Sequence, residues 1–85
     1  MVYVDDYRAP FGRMRLSHMM ADTEEELEEM ARKLGLKREW KQSSRRYVHY
    51  DVCEAKRRKA IRLGARAVTF REPVHIFHSA LKKKR

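Results

Sequence analysis

Two short strings hold most of the groups that could do chemistry in this 85-residue chain. They are Asp5-Asp6 near the start and His49-Tyr50-Asp51 past the middle. His18 stands between them, and Arg13 and Arg58 add guanidinium forks. Carboxylates beside imidazoles suit two tasks. They bond the hydroxyl and amide groups of a polar ligand, or they hold a divalent cation that clamps a phosphate or activates water. Arginine forks match the geometry of a phosphate. The His49-Tyr50-Asp51 run reads as a loop-to-helix junction, where exposed backbone N–H groups also face an anion. A plainer account stands beside this one: Asp51 caps a helix, and Asp5 or Asp6 pairs with Arg8 or Arg13. The ligand spacing matches no established zinc or calcium pattern, so the primary reading assigns neither a metal nor a cofactor.

Other candidates are weaker. His75 and His78 lie three apart, but two ligands fall short of zinc's usual four, and His78 sits on an apolar stripe. Cys53 lies near His49, yet nothing marks an oxyanion site, and a buried inert thiol is the simpler account. Gly12, Gly35 and Gly64 stand alone, each with a turn or cap explanation. No Walker or dinucleotide glycine pattern exists, which counts against an ATPase.

Elements must position these groups. Residues 1–5 read as a strand buried on both faces, with Asp5 and Asp6 at its C-terminal end, where open α/β sheets bind ligands. Residues 8–12 read as a loop broken by Pro10 and Gly12. Residues 14–20 read as a short second strand. The first helix is the clearest element. Thr23 and Glu26 match a capping box, Leu27, Met30, Ala31 and Leu34 form one stripe, and Gly35 supplies the left-handed stop. The stretch from 37 to 50 is irregular or holds a short strand, with residues 43–46 as an exposed tip. A second helix is expected to start at Asp51 and run to Leu63. A buried strand over 65–70 should pair parallel to the first, completing an αβ unit. Pro73 opens a last helix whose stripe is Val74, Phe77, His78 and Leu81. The expectation is therefore an α/β fold: a small sheet with parallel first and last strands and about three helices on it. Residues 1–81 form the single domain, and 82–85 form a basic tail.

Composition bounds the function. The chain carries 21 Lys and Arg against 12 Asp and Glu, a net charge of +9. Residues 1–36 hold eight acids and five bases, while 37–85 hold 16 bases and four acids. The cationic second part points to phosphates as partners: a nucleotide, another phosphate-bearing ligand or nucleic acid. The size excludes a two-domain enzyme, a full dinucleotide fold or a barrel. No apolar run approaches the ~20 residues of a membrane span, so no membrane partner is expected. The first residues lack a secretion signal, and one cysteine fits a reducing cytoplasm. A core this thin is one that oligomerisation often supplements, which makes a second copy of the chain a candidate partner.

Several strings together resemble a known family. They are Val2-Tyr3-Val4-Asp5-Asp6, Gly12-Arg13, His18-Met19 with Ala21-Asp22, Glu26-Leu27, Trp40 with Gln42, His49-Tyr50-Asp51 and Leu63-Gly64-Ala65. The family consists of small bacterial and phage proteins labelled as a domain of unknown function, and the likeness covers residues 2–72. It implies that Asp5, Asp6, Arg13, His18, His49, Tyr50 and Asp51 are a shared polar signature of a ligand pocket. Some relatives carry a longer insertion with Cys and His before the His-Tyr-Asp run, where this chain has only residues 41–48. The phage members imply a role in host takeover or in countering host defence.

Three functions follow from these readings. The first is non-enzymatic binding of a nucleotide or nucleotide-derived signal by Asp5, Asp6, Arg13, His18, His49, Tyr50, Asp51 and Arg58. The second is a nucleic-acid module that uses the basic second part, with Trp40, Tyr47 and Tyr50 as stacking faces. The third is a metal-dependent phosphodiesterase or nuclease. It would hold an ion on Asp5, Asp6 and Asp51, with His18 or His49 as acid and base.

Overall fold

The computed structural model describes residues 1–43 and 48–69. Strands β1 (Val2–Val4), β2 (Ala9–Phe11), β3 (Met14–Ala21), β4 (Gln42–Ser43), β5 (Val48–Cys53) and β6 (Arg66–Ala67) form a mixed sheet in the order β4-β5-β3-β1-β6, with β2 added on β3. Helices α1 (Glu24–Leu34) and α2 (Glu54–Arg62) pack on it, with a single 3-10 turn at Arg38–Trp40. The α/β class and the parallel pairing of β1 with β6 agree with the sequence reading. Two helices, not three, lie among the described residues. The helix expected after Pro73 and the basic tail lie outside them.

The sheet has two unlike faces, because successive side chains of a strand point to opposite sides. Val2 and Val4 of β1, Met19 of β3, and Tyr50 and Val52 of β5 face the helices. There they join Leu27, Met30, Ala31 and Leu34 of α1 and Ala60 of α2 in the main core. Burying each large aliphatic side chain contributes roughly 1.5–3 kcal/mol. Tyr3, Met20 and Val68 form a second small cluster on the other side. That side also carries the alternate residues Asp5, His18, His49 and Asp51.

The first helix forms as its sequence predicts. The Thr23 hydroxyl accepts the Glu26 N–H at 3.2 Å and donates to the Glu26 carboxylate at 3.0 Å. Gly35 adopts φ 76°, and its N–H closes on the Ala31 and Arg32 carbonyls. Lys56 of α2 covers another end carbonyl, its Nζ donating to Leu34 O at 2.6 Å.

Two local expectations are corrected. Residues 9–11 are a strand, not a loop. Pro10 is tolerated because β2 is an edge strand that pairs with β3 alone, so its missing N–H costs no ladder bond. Gly12, at φ 61°, takes the first central position of the two-residue hairpin turn. Asp51 does not cap α2. The strand continues through Cys53, which is the N-cap residue without a side-chain cap bond. The alternation of Val48, Tyr50 and Val52 is a strand pattern, and it overrides the capping preference of the aspartate between them.

Candidate functional site

The strand register gathers the site. His18 of β3 lies directly opposite Asp51 of β5. On its other side the Asp5 N–H donates to the His18 carbonyl at 3.0 Å, extending the β1–β3 ladder by one residue. Asp51, His18 and Asp5 thus form a row across the three central strands. His49 enters the same face two residues before Asp51.

Asp5 is the anchor. Its carboxylate is 1% exposed, yet it accepts three hydrogen bonds. Oδ2 meets His18 Nδ1 at 2.7 Å, and Oδ1 accepts the backbone N–H groups of His18 at 2.8 Å and Tyr7 at 3.1 Å. Burial works against the charged form, but these bonds outweigh it and hold the carboxyl below its usual range. The same contact raises His18 above an ordinary histidine, with burial opposing it. Because Nδ1 is engaged by Asp5, Nε2 is the nitrogen that His18 can present elsewhere.

His49 is set differently. Burial comes first among its influences and lowers it, with the Asp51 carboxylate opposing. It is therefore the neutral imidazole of the pair near neutral pH. The two rings meet edge to face, with centroids 5.3 Å apart. His49 Nε2 lies 3.7 Å from Asp51 Oδ1, and Gln42 Nε2 holds Asp51 Oδ2 at 2.7 Å. Tyr7 stacks on the outer side of His18 at 5.0 Å.

One ligand atom each from His18, His49 and Asp51 lies within 4.8 Å of the other two. Donors bound to one ion at ~2.1 Å sit about 3–3.5 Å apart, so closing the set takes a movement of roughly 1–2 Å. Asp51, at 30% side-chain exposure, has room to turn. Two imidazoles and one carboxylate form a donor set for zinc or for another first-row divalent metal, and they leave positions open. Asp5 then occupies the outer position that such sites give to a carboxylate, fixing the ring and strengthening the nitrogen donor.

Of the eight site residues read from sequence, the structure brings together Asp5, His18, His49 and Asp51. The other four lie elsewhere. Asp6 and Arg13 are exposed, Arg13 in the β2–β3 turn. Tyr50 lies in the core on the helix side, its hydroxyl 3.3 Å from Glu28 Oε1. Arg58 is exposed on α2. The neighbouring Arg57 turns inward instead, its Nε donating to the Asp5 carbonyl at 2.7 Å while its guanidinium pairs with Glu54 at 3.8 Å. Sequence reasoning missed Arg57, Tyr7 and Gln42. The three-residue spacing of Glu54 and Arg57 was a signal for the first of these. Nothing distinguishes Tyr7 in the sequence.

The model of the DUF4031 family, described as a protein of unknown function, matches residues 2–80. The chain belongs to this family. The DUF4031 match takes in every residue of the row, from Asp5 to Asp51. Comparison with curated proteins and with solved structures gave no match.

Proposed function

We propose that the protein binds a divalent metal through His18, His49 and Asp51 and takes a phosphate-bearing ligand on the metal's open positions. The observation that carries this is the convergence of three donor atoms, one of them on a ring already oriented by a buried carboxylate. Electrostatics favours a metal over a bare anion pocket. Asp5 and Asp51 bring two negative charges, and of the histidines only His18 is held toward its charged form. A phosphate charge ~5 Å from an uncompensated carboxylate meets about 3 kcal/mol of repulsion at an effective dielectric of ~20. A divalent ion reverses that sign. It also makes a hydrolytic reading available, because His18 and Asp51 both keep some solvent exposure and a bound water would be activated there.

Cobalt(II) is the direct probe. Titration of the protein should give visible absorption bands at one equivalent, displaced by zinc and altered by inorganic phosphate. Protein that takes up no cobalt or zinc at micromolar concentrations refutes the reading. Turnover of an activated phosphodiester by the loaded protein separates hydrolysis from binding alone.

A second reading is supported by α2. Ala60 is its only buried residue, and Arg58, Lys59 and Arg62 are exposed. A basic helical face of this kind suits a polyanion. If it serves nucleic acid, the affinity for a DNA duplex should fall steeply with added salt, since each neutralised phosphate releases counterions. A flat response excludes it.

A further inference from the structure

A groove of about 700 Å³ opens beside the cluster. Phe11, Met14, Leu16 and Trp40 supply its apolar wall, and Gln42 and Asp51 are part of its polar lining. Asp51 is therefore a shared boundary. One carboxylate oxygen faces His49, and the other is held by Gln42, which also lines the groove. Phe11, Met14 and Trp40 are 64%, 48% and 51% exposed. Three large apolar side chains open to water around one concavity are the kind of surface that marks a binding site.

We propose that this groove receives the base of a nucleotide whose phosphate is held on the metal side of Asp51. The inference rests on the metal reading for the position of the phosphate, and on the groove itself for the base. Three features select this occupant. The apolar wall carries an exposed indole, and a flat heteroaromatic ring stacks on such a face whatever its hydrogen-bonding pattern. The charges are divided in the same way: Glu39 and Asp51 line the groove with Lys56, whose Nζ is engaged by the Leu34 carbonyl, so the groove itself suits the uncharged base and leaves the phosphate to the metal side. The groove is also continuous with the donor cluster through Asp51, so one molecule with a polar anionic end and a flat apolar end spans both. A purely apolar peptide would use the wall and leave the metal unserved.

Trp40 is the only tryptophan in the chain, so it reports on the groove directly. Zinc-loaded protein is titrated with AMP, adenosine and inorganic phosphate, following indole fluorescence and heat. AMP should quench the indole and bind about tenfold more tightly than phosphate, the scale that base–aromatic stacking supplies. Trp40→Leu, at an exposed position, should lower AMP affinity to that of phosphate and leave zinc affinity alone. Zinc binding with equal affinity for AMP and phosphate, and no quenching, overturns the groove assignment and spares the metal. Failure to bind zinc overturns the metal reading. Adenosine then decides the groove by itself: quenching supports it and silence ends it. If sedimentation shows a dimer that Trp40→Leu dissociates, the groove belongs to a second copy and the proposal fails.

Discussion

Asp5→Asn should keep the fold and lose metal affinity by about 10–100-fold, the cost typical of removing the outer carboxylate from a ligating histidine. The mechanism is a change of tautomer. With aspartate present, the carboxylate accepts from Nδ1 of His18 at 2.7 Å, so the ring carries its proton there and Nε2 offers a lone pair. An asparagine in the same pose can still accept the backbone N–H groups of His18 and Tyr7 with its carbonyl oxygen. Its amide nitrogen then faces Nδ1 and donates to it. The ring must shift its proton to Nε2, and a protonated nitrogen cannot ligate. Isothermal titration with zinc reads the affinity, and urea unfolding checks that the fold is kept. Unchanged zinc affinity in a folded Asp5→Asn protein would show that His18 is not a ligand through Nε2. The reciprocal control is Asp51→Ala, which removes a donor outright and leaves the Asp5–His18 contact in place.

The prediction depends on a face of the sheet that was only half legible in the sequence. The residue types were informative: Asp5, His18, His49 and Asp51 stand out in any reading of the chain for chemistry. Their companionship was not, because it depends on register. Asp51 and His49 share a side with His18 only if residues 48–53 form a strand, and the preference of Asp for helix starts argued the other way. Once the strand is placed, alternation sends Tyr50 to the core and separates it from its two sequence neighbours. The strongest element, α1, was legible because a capping box, an apolar stripe and a terminal glycine all agree. The parallel partner of β1 was legible from a helix and a glycine in order, but it is two exposed residues, Arg66 and Ala67, and not the buried strand expected over 65–70. Strand β2 was obscured by Pro10, whose effect depends on whether the strand lies at an edge. Arg57 and Arg58 illustrate the same limit: adjacent arginines on a helix differ by ~100° in direction, so one reaches the Asp5 carbonyl and the other faces water.

Asp5→Ala should be a stability mutation as well as a functional one, costing about 3–5 kcal/mol. That is the range for breaking a buried charged pair by deleting one partner, and it is comparable to much of the stability of a small domain. The deletion strands the N–H groups of His18 and Tyr7 along with the His18 ring. Its pH dependence separates the ion pair from simple packing. Asp5 is held below the ordinary carboxylate value, so its contribution is fully present above about pH 4 and fades as the pH falls through its folded value. His18 is raised, so its charged contribution is fully present below about pH 6.5 and fades as the pH rises through its folded value. The two windows overlap between about pH 4 and 6.5, and the deficit of Asp5→Ala against wild type should be greatest there. His49 acts in the opposite sense. Its folded value is lowered, chiefly by burial, so both proteins lose stability as the pH drops below about 6.5, and subtracting one curve from the other removes the burial part of that loss, while the part set by the Asp5 charge stays in the difference. Urea unfolding of both proteins from pH 4 to 9 measures the difference. A deficit that stays constant across this range would mean that Asp5 stabilises the fold through its backbone contacts alone, with no charged bond to His18.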